Sequence, residues 1–271
     1  MRRYQVPEEV VGGPCERDGG IRKVAVVIEY NGAGYCGFQR QLSEPTIQAE
    51  LESVLYRITQ EVCVVHGAGR TDSGVHARGQ VVHFQTKWKH SWAELLRAMN
   101  ALLPNDVSAL RIFPVSADFD ARYSAISRVY RYVIYNRKVR SPFITHLAYQ
   151  VERRLDVQAM NLGSACLVGV HDFSSFGQSP SGGHTIREVY GAYWCCQGDW
   201  VFFDIEANGF LRHMVRSLVG TLIQVGLGKM SPTEMAQILR GQDRSLAGPT
   251  APPHGLYLEK ICYRAPWQGI V

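Results

Sequence analysis

No stretch of this 271-residue chain approaches the ~20 consecutive apolar residues of a bilayer-crossing helix, so no membrane span is expected. The opening MRRYQVPEEVVGGPCERDGG has two arginines but no apolar core behind them. Residues 1–21 therefore read as a polar extension, not as a secretory signal. There is no C-x-x-C pair. The seven cysteines, at 15, 36, 63, 166, 195, 196 and 262, are odd in number and several sit in apolar runs. That pattern disfavours a disulfide framework or a zinc site and fits thiols kept reduced in the cytoplasm. Charge of one sign is not abundant either: the net charge is +5, too mild to name a partner by itself. Phosphate-cradling loops are missing as well. Gly67, Gly69 and Gly74 are followed by a strand pattern, where a dinucleotide loop must lead into a helix. VGLGKMS lacks the spacing and the hydroxyl residue of a P-loop. His66, His76, His83 and His90 show neither i,i+4 helical spacing nor a neighbouring carboxylate, so no metal and no nucleotide cofactor is expected.

What is present is ordered. A composition 46% apolar and 20% charged is that of a globular chain with a substantial core. RKVAVVIEY (22–30) is β-branched and reads as a strand. TIQAELESVLYRI has apolar residues at 47, 51, 54, 55 and 58, the spacing of a helix capped by Thr46. EVCVVHGA and GQVVHFQ (79–85) read as strands, and SWAELLRAMNALLP as a helix opened by a Ser91–Glu94 capping box and closed by Pro104. DVSALRIFPV is a further strand, giving the order β-α-β-β-α-β.

The second half repeats that order. SRVYRYVIY (127–135) is a strand, LDVQAMNLGSACLVG a helix capped by Asp156, and TIREVYGAYWCC and WVFFDIEA a hairpin about QGD. LRHMVRSLVGTLIQVG is a helix. SPTEMAQILRG is another, with Ser231 as cap, Pro232 and Glu234 in its first turn and Gly241 as stop. GLYLEKICY closes the series. A short echo, IEYNG (28–32) and IEANG (205–209), accompanies the matching order. The expected architecture is α+β: two similar split-βαβ units, ferredoxin- or RRM-like, one over residues 22–120 and one over 121–264, with a tail at 265–271. They should share an extended, mainly antiparallel sheet with helices on one face and an RNA-binding cleft between the halves.

Basic residues are unevenly distributed. Arg122, Arg128, Arg131, Arg137, Lys138, Arg140, Arg153 and Arg154 crowd the middle, interleaved with Tyr123, Tyr130, Tyr132 and Tyr135. A polyanion with stackable bases would suit that mixture, although a solvated strand face produces it too. In GAGRTDSGVHARGQVVHF (67–84), Arg70, Asp72, His76 and Arg78 fall within nine residues on a loop between strands. Aspartate before Ser-Gly is common in turns, because its carboxylate bonds nearby amides. Held ionised by a cation, the same group could serve as nucleophile or base. Tyr130 and Tyr132 alternate with Arg131, which puts both rings on one strand face. Arg212 and Arg216 are four apart in an apolar helical stretch, where a partly buried arginine requires a carboxylate.

Together, VVIEYNGAGYCGFQRQ, GAGRTDSGVHARGQVVHF, FDARYSAISRVYRYVIYN, HDFSSF, ANGFLRHMVRSLVG and PPHGLYLEKICY resemble the tRNA pseudouridine synthase A family, in the family's order from about residue 22 to 264. The resemblance implies an isomerase that converts uridine to pseudouridine on the 3′ side of the tRNA anticodon stem-loop, without cofactor or metal. It also implies a homodimer that holds tRNA across both subunits. Residue by residue, the aspartate of GRTD is Asp72, the catalytic nucleophile. The first tyrosine of YRY is Tyr130, which stacks on the target base and assists proton removal. The arginine of HMVR is Arg216, paired with Asp72, and Arg70 helps to flip the base and fills its place. Arg78 and Arg212, the other arginines of these motifs, are taken as further substrate contacts. Ser73 stands where the family more often has alanine, a small exchange beside an unchanged Asp72. Whether Asp72 attacks ribose or base stays open. A non-catalytic tRNA-binding module, or a metal- or nucleotide-dependent enzyme on the same fold, would share part of these features.

Overall fold

A computed structural model describes residues 20–179 and 182–270. Most of the expected extension, residues 1–19, and the last residue of the tail lie outside the described residues. The β-branched run becomes β1 (Arg22–Tyr30), with Val24 to Ile28 wholly buried, so that both faces of the strand are covered, and with a neighbouring strand on either side. Those neighbours are β3 (His76–Thr86) and β4 (Val107–Val115), both antiparallel to it. Between them come α1 (Ile47–Thr59), a short β2 (His66–Gly67) and α2 (Trp92–Leu102). The caps are where the sequence puts them: Thr46 accepts from Ala49 N–H, and Ser91 and Glu94 close a reciprocal box.

The second half supplies β5 (Ala125–Tyr135), β6 (Tyr149–Gln150), α3 (Val157–Ser164), β7 (Gly169–Asp172), β8 (Ile186–Gln197), β9 (Trp200–Ala207), α4 (Met214–Gly226), α5 (Pro232–Gly241) and β10 (Leu256–Tyr263). Ten strands form one sheet in the order β4-β1-β3-β10-β5-β9-β8-β7, with β2 beside β3 and β6 beside β5. Pairing is antiparallel except at β5–β6 and β3–β10. The latter is the seam between the halves, only two residues long: Tyr257 opposite His76 and Leu258 opposite Ala77. Buried side chains from both halves form one continuous hydrophobic cluster across it.

Three local expectations need correction. Of the strand read at 61–68, only His66–Gly67 joins the ladder. Val62 and Val64 point to solvent while Cys63 and Val65 are buried, an extended alternation. The backbone there is satisfied by α1 side chains instead of a strand: Val65 N–H donates to Glu52, and Gln48 donates to Val65 C=O. The helix read from Leu211 starts only at Met214, because His213 adopts a left-handed conformation and Arg212 pairs with Gln178 in an isolated bridge. Finally, Gly241 ends α5 from inside; the left-handed cap is Gln242, φ 51°. Among the described residues no helix is long and apolar enough to cross a membrane.

Candidate active site

The GRTD loop is held by its backbone. Buried Gln80 on β3 donates to Gly69 C=O (2.7 Å) and accepts from Gly69 N–H (3.2 Å), and buried Thr71 bonds the Tyr30 hydroxyl (2.8 Å). The earlier glycine-rich loop packs directly on it. Gly37, at φ +95°, approaches so closely that an added Cβ would stand 2.8 Å from Thr71 C=O. Phe38 N–H donates to Thr71 C=O and Gly74 N–H to Tyr35 C=O, which fixes the turn. With its backbone so constrained, Asp72 turns a side chain that is 30% exposed into an open cleft of ≈ 710 Å³.

An arginine and a histidine converge on this carboxylate from the start of α4. Arg216 Nη1 and His213 Nε2 each lie 3.5 Å from Asp72 Oδ2, ion-pair contacts longer than a closed hydrogen bond. Arg216 is anchored by donating Nε–H to Ala251 C=O (2.8 Å). Partial burial holds the His213 imidazole below its ordinary range. Asp72 pulls the other way, while Arg216, Arg212 and Arg244 reinforce the depression. His213 is the residue that the sequence reading missed. Its one signal was its place inside HMVR, between two arginines already under consideration.

Tyr130 lies on β5 opposite Leu258 of β10 and forms a wall of the cleft. It is buried, with its ring edge-on to Phe210 at 5.0 Å. Burial first, then Tyr30 and Asp72, push its hydroxyl far up, so it is a phenol at neutral pH. Arg70 is exposed beside Asp72, on the wall between the main cleft and an adjoining hollow of ≈ 200 Å³. Arg212 also faces the cleft, from the segment before α4 and not from the helix face expected of it.

Arg122, Arg128 and Arg187 complete a basic lining. Arg128 joins the halves, donating to Ala68 C=O of the first and Asn208 C=O of the second. The remaining basic residues of the middle segment are not in the lining. Arg131 forms a two-pronged pair with Asp204 (2.6 and 2.7 Å) on the opposite sheet face. Arg78 is not brought to the cleft. Tyr257 is the cross-strand partner of Arg131, and so shares its face; Arg78 lies over that ring at 4.8 Å and pairs with Glu259. The odd-even alternation of the strands thus separates Arg78 from Tyr130.

The histidines weighed as ligands are otherwise occupied. His76 accepts from Gly32 N–H and stacks on Tyr257; His83 accepts from Ala121 N–H and stacks on His66; His90 packs against Trp88. Among the described residues no group of three His, Cys, Asp or Glu is placed to hold a metal.

Chemically, the cleft offers one carboxylate under an arginine and an imidazole, an aromatic wall and a ring of guanidinium groups. The chain is also similar to known proteins. Residues 26–124 and 164–264 match the profile of a family described as tRNA pseudouridine synthase. A tRNA pseudouridine synthase A of Roseiflexus castenholzii is 44% identical over 247 residues, covering 90% of this chain and 91% of that protein. Its counterpart in a Thermoanaerobacter species is 42% identical over 244 residues, 90% of this chain and 100% of its own. One from Herminiimonas arsenicoxydans is 40% identical over 257 residues, 91% and 92% of the two chains.

Proposed function

The chain belongs to the tRNA pseudouridine synthase A family, and from that premise we propose that it isomerises uridine to pseudouridine in tRNA with Asp72 as its nucleophile. The reaction breaks the C1′–N1 bond, turns the uracil and forms the C1′–C5 bond; the C5 proton passes to solvent and N1 takes one up, so that substrate and product are isomers. A base in a stem cannot undergo this while stacked, so it must first leave the helix, which costs a few kcal/mol. Arg70, exposed at the edge of the cleft, fills the vacated place. Tyr130 stacks on the extruded uracil. Because burial keeps Tyr130 a phenol, it assists removal of the C5 proton by hydrogen bonding and not as a standing phenolate. Arg216 pairs with Asp72 and steadies the carboxylate for attack.

The substrate we propose is the 3′ side of the anticodon stem-loop, bound across a homodimer in the reducing cytoplasm. Arg212 joins Arg122 and Arg187 in meeting the phosphate backbone along the cleft. Arg78 stands outside this reading because its face of the sheet is turned away. The strand orders β4-β1-β3 and β10-β5-β9-β8 each put the last strand of a half beside its first. That supports two split-βαβ units over residues 22–120 and 121–264, helices on one face, with the cleft at their seam.

One observation carries the proposal: the Asp72 carboxylate meets Arg216 at 3.5 Å inside an arginine-lined cleft walled by Tyr130. Asp72→Asn keeps size and shape and removes the negative charge. Tritium release from C5-labelled uridine in tRNA should fall by at least ~10³-fold, with tRNA affinity retained. Undiminished release would remove Asp72 from the mechanism.

A further inference from the structure

His213 has φ 62° and ψ 2°, a left-handed backbone conformation uncommon for residues with a side chain, although histidine enters it more readily than most. Among the described residues, only Gln60 and Gln242 otherwise combine a side chain with positive φ, and both are helix C-caps, where that conformation is common. At a helix N-terminus the conformation has no such use. The His213 side chain makes no capping bond to α4, and Ser, Asp or Asn would cap it better. What this backbone does accomplish is to direct the imidazole at the GRTD loop. Nε2 arrives 3.5 Å from Asp72 Oδ2, the same oxygen that Arg216 meets. Both closest contacts fall on Oδ2, so Oδ1 is the less engaged oxygen. Strain at a non-glycine residue beside a reacting group is retained where its side chain is needed there.

We propose that His213 is a positioning residue for Asp72: its ring donates Nε2–H to Oδ2 when tRNA is bound, shares that oxygen with Arg216, and presents Oδ1 to the extruded uridine. This rests on Asp72 being the reacting carboxylate, as proposed above. The charged groups facing the ring are Asp72 on the β2–β3 loop, Arg216 on α4, Arg212 before it and Arg244 after α5. Partial burial and the three guanidinium groups leave the imidazole uncharged at neutral pH, despite Asp72. An uncharged donor orients the carboxylate without adding a second full positive charge, which would weaken it as a nucleophile. Protonation at acid pH adds that charge, so the rate falls on the acid side as His213 titrates.

Two variants test this. His213→Gly removes the ring and relaxes the left-handed backbone, and His213→Gln keeps an amide donor at the reach of Nε2 on a backbone that Gln60 and Gln242 also adopt. Tritium release from C5-labelled tRNA is measured from about pH 5 to 9, with kcat and KM separated and thermal unfolding in parallel. We expect His213→Gly to lose ~10- to 100-fold in kcat with KM within ~2-fold and a Tm no lower than that of the unaltered protein. His213→Gln should recover most of kcat and lose the acid limb. Full kcat in the glycine variant, a loss confined to KM, or an unchanged acid limb in the glutamine variant would each overturn the inference. An inactive unaltered protein or an active Asp72→Asn variant would instead overturn the reading on which it rests.

Discussion

Gly220 lies one helical turn beyond Arg216 on α4, away from the cleft lining, and the geometry makes it decisive for Asp72. The segment after α5 returns across this part of α4. A Cβ added at Gly220 would stand 1.7 Å from Pro249 C=O and 3.1 Å from Ala251 N. That segment is docked by four bonds: Gly248 N–H to Thr221 Oγ1 (3.0 Å), Ala251 N–H to Arg216 C=O (3.0 Å), Arg216 Nε–H to Ala251 C=O (2.8 Å) and one between the Ser217 and Thr250 hydroxyls (3.4 Å). To admit a methyl group, Pro249 must withdraw by roughly 1.3 Å, the gap between 1.7 Å and the 3.0 Å that real Cβ contacts respect. The obstacle is backbone, so no side chain can swing aside. Withdrawal loosens Ala251, and with it the guanidinium that faces Asp72.

A displacement near 1 Å at a catalytic group costs about 10²-fold in rate, and we expect Gly220→Ala to lose kcat on that scale. Overpacking should cost ~1–3 kcal/mol, offset by up to ~1 kcal/mol of helix propensity, which leaves the protein folded. Gly191→Ala is the control, since its added Cβ meets nothing within 4 Å. Single-turnover tritium release and thermal unfolding of both variants decide the matter. A Gly220→Ala protein with kcat within threefold of the control would refute the chain from Gly220 through Ala251 to Arg216.

The remaining predictions concern stability. Burial lowers the His83 pKa from 6.5 to about 4, with Asp120 opposing, so the folded state binds fewer protons than the unfolded chain as pH falls through this window. Stability should therefore decline from pH 6.5 to about 4 and then level, by ~2 kcal/mol for this residue once hydration near Asp120 is allowed for. Urea unfolding of His83→Asn should show that much less loss over the window, and an identical pH slope would refute the assignment. Arg131→Ala leaves Asp204, whose side chain is 8% exposed, without its partner and takes a cation from half-buried Glu259. Because Arg131 itself is 36% exposed, the expected cost is ~2 kcal/mol, below that of a fully buried pair. A change under ~0.5 kcal/mol would show that water replaces the arginine.

The parts of this protein that could be read from its sequence are those decided within a few residues. Thr46, Ser91 with Glu94, and Asp156 cap where they were expected to, because a side chain and the amide three residues on settle the matter locally. The alternation of Tyr130, Arg131 and Tyr132 was legible for the same reason. What failed depended on partners distant in the chain. The run at 61–65 has strand composition, but α1 supplies Gln48 and Glu52 to its backbone, so it never joins the ladder. Arg78 and Asp72 are six apart, yet one is loop and the other strand, and the pairing of Tyr257 with Arg131 puts Arg78 on the far face. His213 was invisible because apolar periodicity runs unbroken from Leu211 into α4; the left-handed turn that aims its ring interrupts the backbone and not the pattern.

The two-residue seam between β3 and β10 shows why the cleft itself could not be derived. At that seam His76, four residues after Asp72, meets Tyr257, two residues after the turn at Pro253–Gly255 that follows Ala251. Asp72 on the first half and Arg216 on the second are brought within 3.5 Å by so short a ladder only because their own loops are independently rigid. Gln80 and Gly37 fix the first, and Ala251 fixes the second. Rigid loops on a short seam confine errors of position to the seam itself. The single-residue contacts at its edge, Arg216 to Ala251 and Gly220 to Pro249, therefore control the distance between carboxylate and cation more tightly than the sheet does.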